Sequence, residues 1–325
     1  MANSRGKDVD KTFLSADHTD ARLIIHRDLI AHSLRWSHVA RLLGRSQRYA
    51  STDVLDVGCG VEVPLGKMLY SNKFAPRSYV GVDVTPNLKW PEMLQRGVDS
   101  GKLANWQLMT ADVATLTQAD LGGSPNFITM FEVVEHVEAD HRIRILTNLL
   151  RLAAPNATLL VSTPNYDHQV GAANNHVDET TAKCFGALLE DCGWSITAMH
   201  GTFASIKDYK DDLIRDYGDA GAQIFTRLHE YYDTNLLATI FAPLYPFKSR
   251  NIIWSCQAPS PDCDRPRRRF PRLAEVVAEA RVTLPPEADA SAEAQAAKAY
   301  LHSALGSSAK WEDPEYVADL IRALG

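Results

Sequence analysis

Two glycines and two acidic residues in the first third of the chain could bind a nucleoside. An apolar run reaches Val57 through Asp56, and Gly58 and Gly60 follow directly. Glycines after a buried strand let a ligand lie against the backbone. A second apolar run ends in Asp83, where a carboxylate can accept hydrogen bonds from ribose hydroxyls. This pattern indicates a nucleoside-binding crevice.

A second set of residues could take the proton of a substrate hydroxyl group or hold a divalent cation. Glu132, Glu135 and His136 have the spacing of side chains on one helical face. His176 stands in a later loop that we expect at the same edge of the sheet. Two carboxylates and two imidazoles suit Mg²⁺, Mn²⁺ or Zn²⁺. The open alternative is that the glutamates cap a helix and the histidines bond to the backbone.

Parallel strands are needed to bring these residues to one edge of a sheet. Apolar runs alternate with helical patterns through residues 51–257. This alternation predicts an α/β fold with a doubly wound, Rossmann-like, seven-stranded sheet and right-handed crossovers. The third strand is predicted to end at Asp112, the fourth to start at Asn126 and run into a helix, and the fifth to start at Thr158. The last strand is predicted over residues 251–256.

These segments resemble those of class I S-adenosylmethionine-dependent methyltransferases. The run Val-Leu-Asp-Val-Gly-Cys-Gly at residues 54–60 is similar to motif I of that superfamily, although Glu62 stands where members often have another glycine. Glu-x-x-Glu-His at residues 132–136 is similar to a segment of the ubiquinone-pathway O-methyltransferases and the small-RNA terminal 2′-O-methyltransferases. The resemblance covers about residues 50–200.

The resemblance implies S-adenosyl-L-methionine as the cofactor and assigns its contacts. Asp56, Gly58 and Gly60 would surround the methionine moiety, Asp83 would hold the ribose, and Asp112 with Val113 would hold the adenine. The implied cofactor-binding residues are Asp56, Gly58, Gly60, Asp83, Asp112, Val113 and Glu132. Glu135 and His136 are the implied catalytic residues. A Mg²⁺ or Mn²⁺ ion, where present, would be held by Glu132, Glu135, His136 and His176.

Three functions remain open for such a chain. The leading one is a methyltransferase (EC 2.1.1 type) acting on an oxygen, or a nitrogen, of a small molecule. The second is a nucleic-acid-modifying methyltransferase, metal-assisted where an ion is present, supported by the arginines of a Pro/Arg-rich linker over residues 258–272 and by the metal residues similar to those of the small-RNA methyltransferases. The net charge of −6 argues against binding nucleic acid through bulk electrostatics. The third is a non-catalytic cofactor-binding module, which the intact acidic residues and glycines argue against.

Composition indicates the cellular compartment in which we expect the protein. The chain has 325 residues and five cysteines, an odd number without CxxC spacing, which does not suggest a disulfide framework or a zinc site. It has neither an apolar run long enough to span a bilayer nor a signal-like amino terminus. We therefore expect a cytoplasmic protein without membrane partners.

Additional segments flank and interrupt the predicted sheet domain. Residues 1–50 are expected to form a polar tail and a cap helix over residues 19–43. Residues 201–249 are rich in aromatic side chains and predict a helical insertion that serves as a substrate lid. Residues 273–325 predict a helical appendage, with helices near 274–284, 290–305 and 314–324, and a candidate surface for self-association.

Overall fold

The computed structural model describes residues 27–45, 51–71, 76–204, 209–261, 267–281 and 292–324. The polar tail before residue 27 lies outside this range, as does part of the linker. Among the described helices, none combines the length and apolar composition that a bilayer crossing requires.

One mixed sheet of seven strands forms the centre of the described fold. The strands are β1 (Asp53–Val57), β2 (Ser78–Asp83), β3 (Trp106–Thr110), β4 (Phe127–Phe131), β5 (Thr158–Pro164), β6 (Ser195–Ala204) and β7 (Ser249–Gln257). Their order is β3-β2-β1-β4-β5-β7-β6, and β7 runs antiparallel to both of its neighbours. The predicted doubly wound α/β fold is confirmed.

The register aligns the carboxyl ends of the central strands. Val57 of β1 is paired with Val82 of β2 and with Met130 of β4. In turn, Phe131 is paired with Ser162 of β5. Strand order reverses between β1 and β4, and ligands of such sheets bind in the crevice outside that switch point. The segments that follow these strands therefore meet at one place.

Ten α-helices connect and extend the described strands. They are α1 (Arg27–Arg45), α2 (Pro64–Ser71), α3 (Glu92–Asp99), α4 (Ala139–Leu152), α5 (Ala182–Asp191), α6 (Tyr209–His229), α7 (Thr234–Phe241), α8 (Leu273–Arg281), α9 (Ala292–Ala304) and α10 (Pro314–Leu324). The helix predicted directly after β4 is instead a single 3-10 turn at Val134–His136, and α4 begins three residues later.

Alternating strand residues supply two separate hydrophobic cores, one on each face of the sheet. Leu55 packs in the core that includes Ile143 of α4 and Leu188 of α5. Its neighbour Val54 packs in the other core, with Val39 of α1 and Leu69 of α2. This division follows from the two-residue period of strands. Both faces are covered, so the sheet is a rigid base for the loops at its edge.

The segment between β6 and β7 forms a helical insertion with its own small core. Strand β6 continues to Ala204, so the helices begin later than the predicted start at residue 201. Buried Leu213 of α6 packs with Leu237 and Phe241 of α7. Helix α7 also packs against α1 and β6. The insertion is thereby fixed beside the amino-terminal helix, near the acceptor side of the sheet.

The carboxyl-terminal helices pack onto the domain rather than standing apart from it. Trp311, Val317 of α10 and Leu273 of α8 are buried in the same core as Leu146 of α4. The indole of Trp311 is 1% exposed. These contacts lie on the face of the sheet that α4 and α5 cover. The appendage therefore completes the main core.

The linker arginines are largely paired with acidic residues of the domain. Arg268 and Arg272 contact Asp191 at 2.9 and 3.7 Å, and Arg269 donates to a backbone carbonyl of β6 at 2.7 Å. Arg265 lies outside the described residues. Helix α5 ends at Asp191, just before the amino end of β6, so this cluster lies at the sheet edge opposite the glycine turn.

Candidate active site

A tight turn follows β1 and leads into α2. Gly58 and Gly60 have φ values of 68° and 63°, a region that favours glycine, and Val63 has a φ of 44°. The amide of Gly58 donates a 2.8 Å hydrogen bond to the carbonyl of Val82. The turn is therefore held against the end of β2.

The carboxylate of Asp83 closes one side of this turn. It accepts hydrogen bonds from the amide of Gly60 at 2.9 Å and from the amide and hydroxyl of Thr85 at 2.8 and 2.6 Å. Asp83 is only partly buried. A ligand can thus approach both the carboxylate and the glycine backbone from the same side.

The two glycines differ in the space around them. A side chain at Gly58 would come within 2.2 Å of the Val133 Cγ2 atom, whereas a side chain at Gly60 would meet no described atom within 4 Å. Gly58 is therefore required by packing between two loops. Gly60 instead borders open space beside Asp83, where a ligand's polar groups can reach backbone amides.

Asp56 lies inside the sheet rather than in the open crevice. It is 4% exposed, and its two oxygens accept 2.7 Å hydrogen bonds from Tyr79 and Thr129. Burial raises the pKa of Asp56 to about 6. This position differs from the predicted contact with a methionine moiety, because both carboxyl oxygens are engaged beneath the turn.

Asp112 and Val113 follow β3 at the same edge. Asp112 caps the 3-10 helix Val113–Thr115 by accepting a 2.9 Å hydrogen bond from the amide of Ala114. Its second oxygen lies 3.3 Å from Nε2 of His141 on α4. Val113 is buried against the core. Asp112 remains more than one third exposed, which leaves it accessible from the crevice.

Glu132 departs from the helical face predicted for it. Its φ of 56° places it in the left-handed region, before the 3-10 turn begins. Ser162 and Asn251 donate to its carboxylate at 2.7 and 2.9 Å, and Arg35 lies 3.2 Å away. The side chain thus points toward β5, β7 and α1, and it does not belong to the group formed by Glu135, His136 and His176. The predicted shared face was wrong, because the backbone there is not helical.

Three of the four predicted acceptor-side residues do come together. The ligand atoms of Glu135, His136 and His176 lie within 4.8 Å of one another, and Glu132 is outside this group. The two imidazole rings meet edge to face with centroids 4.9 Å apart. The predicted four-residue metal set is thus reduced to three residues in the described structure.

Glu135 carries the most perturbed carboxyl of this cluster. It is fully buried, and burial together with the nearby charge of Glu132 raises its pKa well above the usual range. Thr163 donates to Oε2 at 3.3 Å, but Oε1 has no hydrogen-bond partner among the described residues. A buried acceptor without a partner is costly unless a ligand, a proton or an ion completes it.

The two histidines are oriented by their Nδ1 atoms. Nδ1 of His136 lies 3.0 Å from the carbonyl oxygen of Asn175, which can only accept a hydrogen bond. Nδ1 of His176 lies 2.5 Å from the carboxylate of Glu179. Both Nδ1 atoms therefore carry protons, and in the neutral imidazoles Nε2 is left with the lone pair. Each ring can accept a proton or bind a cation through Nε2.

A buried arginine joins the two loops that carry this cluster. Arg142 of α4 is fully buried and donates to the carbonyls of Val134 and Asp178 at 2.8 and 2.7 Å. The carbonyl of Glu135 accepts in turn from the amides of Val177 and Asp178. The loop before α4 and the loop that contains His176 are thereby one hydrogen-bonded unit.

The appendage holds the far side of the His176 loop. The amide of Ser308 and the indole of Trp311 donate to Asp178 Oδ1 at 3.2 and 3.1 Å. Ser307 and Glu179 exchange two further hydrogen bonds of 2.8 Å. Since Glu179 also orients His176, the carboxyl-terminal segment positions a predicted site residue.

Several of these residues were not foreseen from the sequence. Arg35 and Asn251 contact Glu132, Thr85 contacts Asp83, and Arg142 contacts the backbone of the loop that contains His176. Arg142 sits among the apolar positions of α4, and a charge in such a place is a usable signal of a buried hydrogen-bond role. The other three carry no pattern that sequence spacing reveals.

Comparison with known proteins decides the family. The model of a family described as a methyltransferase domain matches residues 27–214, more than half of the chain. The chain belongs to this methyltransferase family. The predicted resemblance to class I S-adenosylmethionine-dependent methyltransferases is thereby confirmed. A comparison with proteins of curated function finds no match.

Solved structures with a similar fold include methyltransferases. Magnesium protoporphyrin IX methyltransferase from Synechocystis PCC 6803, solved with bound SAH, has 14% identity and a TM-score of 0.46, over 71% of this chain and 85% of that one. The N-methyltransferase NodS from Bradyrhizobium japonicum WM9 has 12% identity and a TM-score of 0.45, over 72% and 100%. The methyltransferase domain of bacterial-CtHen1-CN has 19% identity and a TM-score of 0.43, over 70% and 99%.

Proposed function

We propose that this methyltransferase transfers a methyl group from S-adenosylmethionine to a hydroxyl group of a small molecule. The observation that carries the proposal is the buried Glu135 carboxyl, whose Oε1 lacks a partner among the described residues beside two imidazoles with free Nε2 lone pairs. A hydroxyl nucleophile needs a group that accepts its proton or lowers its pKa, whereas an amine can react in its neutral form.

The cofactor residues of the proposal surround the crevice after β1, β2 and β3. The open backbone at Gly60 suits the polar groups of the methionine moiety, and Asp83 suits the ribose hydroxyls. Asp112 suits the adenine amino group, with Val113 behind it. Val84, which is 73% exposed directly after Asp83, offers an apolar surface for the adenine ring. Asp56 acts from below by fixing the turn.

The acceptor residues would act on the hydroxyl proton. S-adenosylmethionine supplies an electrophilic methyl group whose carbon–sulfur bond breaks as the oxygen–carbon bond forms. The hydroxyl proton passes to Nε2 of His136 or His176, and the Nδ1 contacts to Asn175 and Glu179 keep each ring in place. Glu135 is buried, whereas His136 is exposed, so the bound acceptor and cofactor must themselves exclude water from the reacting atoms.

A divalent ion fits the same three residues. One carboxylate oxygen of Glu135 and one ring nitrogen each of His136 and His176 lie within 4.8 Å of one another and form a mixed oxygen and nitrogen set. A bound Mg²⁺, Mn²⁺ or Zn²⁺ would lower the pKa of an acceptor hydroxyl. Glu132 would take no part, because its oxygens are held by Ser162 and Asn251.

A small-molecule acceptor is favoured over nucleic acid by the charges at the surface. The linker arginines pair with Asp191 and its neighbours at the opposite edge of the sheet, and the net charge is −6. Arg268 and Arg272 are therefore paired with acidic side chains at the edge opposite the site, where they are badly placed to hold a phosphate backbone near it.

The test is methyl transfer from labelled S-adenosylmethionine to a panel of hydroxyl and amine compounds, with and without a chelator. We expect transfer to a hydroxyl compound, lost in Glu135→Gln and reduced at least tenfold in His176→Ala. His168→Ala changes an exposed histidine in the same loop and should leave the rate unchanged.

Two results separate the parts of the proposal. Full activity in excess chelator assigns the proton to the histidines alone, while restoration by Mg²⁺ or Mn²⁺ assigns the three residues to an ion. Transfer only to amines, with a normal rate in Glu135→Gln, would overturn the proposed hydroxyl chemistry.

A further inference from the structure

A cavity of about 500 Å³ lies between α1, α7 and strands β6 and β7. It is separate from the glycine turn and from the Glu135 cluster, and none of the sequence motifs pointed to it. Polar and charged side chains line one part of it, namely Arg35, His38, Arg41, His200, Thr202 and Thr239. The rest of the lining includes the apolar side chains of Leu34, Ile240 and Pro243.

The cavity is lined by basic residues. Arg35, Arg41, His38 and His200 are among them, and no aspartate or glutamate is among the described residues that line it. Glu132, which is outside the lining, forms a 3.2 Å ion pair with Arg35 and balances part of its charge. Glu132 is itself shared with Ser162 and Asn251. An anion would therefore find excess positive charge here.

Two buried polar atoms in the cavity wall also lack hydrogen-bond partners among the described residues. Arg35 is 2% exposed, and its Nε, which can only donate, is one of them. The other is Nδ1 of His200 on β6, whose ring packs on that of His38. A buried donor without an acceptor is costly, and a bound anion would supply an acceptor to Arg35 Nε and, in the tautomer protonated at Nδ1, to His200.

The cavity adjoins the acceptor side of the proposed active site. Arg35 contacts Glu132, and Ser162, which donates to Glu132, is followed in β5 by Thr163, which donates to Glu135. The route from the cavity to the Glu135 cluster is thus a short chain of direct contacts.

We propose that this cavity binds a carboxylate or phosphate group of the methyl acceptor, with Arg35 and Arg41 as the charged partners and Leu34 and Ile240 against its apolar body. This inference rests on the proposed function for the identity of the ligand. The anion site itself stands on the cavity, its charges and its unpartnered donors. Bidentate guanidinium contacts are well suited to both anions.

The test is a calorimetric titration of the full-length protein at low ionic strength, without cofactor. The probes are inorganic phosphate, benzoate and, as the neutral counterpart of benzoate, benzyl alcohol. We expect saturable binding of phosphate or benzoate and none of benzyl alcohol. Arg41→Gln, which removes charge, and Ser37→Trp, which fills the cavity from an exposed position of α1, should each weaken binding at least fivefold. Arg227→Gln removes an exposed arginine of α6 and should change binding less than twofold.

Each outcome decides one question. Binding of phosphate alone or benzoate alone assigns the anion class, and an acceptor found in the methyl-transfer screen should then compete with that probe. Equal affinity for benzyl alcohol and benzoate, or unchanged binding in both Arg41→Gln and Ser37→Trp, would overturn the anion site. These titrations need no methyl transfer, so failure of the proposed activity would not imitate failure of the site.

Discussion

The indole Nε1 of Trp311 donates a 3.1 Å hydrogen bond to Oδ1 of Asp178, and both side chains are buried. Asp178 also lies against Arg142, which is bonded to the loop before α4. The two loops that carry Glu135 and His176 are thus anchored from both sides. The carboxyl-terminal segment therefore contributes to the site without touching it.

Replacing Trp311 by phenylalanine should loosen the His176 loop. The change removes one donor from a buried carboxylate, which costs about 1–3 kcal/mol of stability. We expect faster amide hydrogen exchange at Val177 and at least a fivefold loss of methyl transfer, with cofactor affinity within twofold. Trp254→Phe is the matched control, because that buried indole Nε1 has no partner among the described residues. Equal effects of the two variants on Val177 exchange would contradict the anchoring role.

Replacing Asp83 by asparagine should weaken cofactor binding. The carboxylate is the partly buried acceptor beside Gly60 and Thr85, and charge-assisted hydrogen bonds to ribose are each worth about 1.5–3 kcal/mol. Calorimetry should show at least a tenfold loss of S-adenosylmethionine affinity in a protein that still unfolds cooperatively. Asp211→Asn, at an exposed position of α6, serves as the control. Unchanged affinity in a folded Asp83→Asn protein would show that Asp83 does not bind the ribose.

Alanine at Gly58 and alanine at Gly60 should have different effects. Both glycines have positive φ, which costs a non-glycine residue about 1–2 kcal/mol. At Gly58 the new methyl group also meets the stiff Val133 side chain at 2.2 Å. Urea unfolding should therefore show a larger loss of stability for Gly58→Ala. Gly60→Ala should instead reduce cofactor affinity with a smaller loss of stability; the reverse order would refute this assignment of roles.

The buried Asp56 carboxyl should make stability depend on pH. Its pKa rises from 3.8 to about 6 on folding, so the folded state retains a proton that the unfolded chain has already lost. This contribution is fully present below pH 4 and is lost as the pH rises through 6, by about 3 kcal/mol in total. Urea unfolding from pH 4 to pH 7.5 should show the loss in wild type relative to Asp56→Asn.

Asp120 provides a control of opposite sign for the pH experiment. Hydrogen bonds from Thr117 lower the pKa of this exposed carboxyl. The stability of wild type relative to Asp120→Asn should therefore rise, slightly, as the pH increases through the acid range. A difference between wild type and Asp56→Asn that stays constant with pH would show that the Asp56 pKa is not raised.

The local sequence was sufficient to predict that the residues proposed to bind the cofactor lie close together. Gly58, Gly60 and Asp83 each depend on the strand immediately before them, so recognising β1 and β2 was enough to bring them to one edge. The α/β fold class follows from the same alternation of strands and helices. The role of Asp56 was missed because strand register, not spacing, decides that it meets Tyr79 and Thr129.

The acceptor side could be predicted only in part. Spacing placed Glu132 with Glu135 on a helical face, but the left-handed backbone at Glu132 separates them. No local pattern shows that Asn251 and Arg35 would contact the Glu132 carboxylate. The cavity between α1 and α7 likewise requires elements that lie far apart in the chain to be placed first.

The anchoring of Asp178 by Trp311 has a consequence for synthesis on the ribosome. Gly60, Asp83 and Asp112 emerge early, whereas Trp311 follows Asp112 by about 200 residues, roughly 10–40 s at ordinary elongation rates. The residues proposed to bind the methyl donor are therefore made well before the anchor for the His176 loop. We expect a nascent chain of this protein to become able to transfer the methyl group only after Trp311 has left the ribosome.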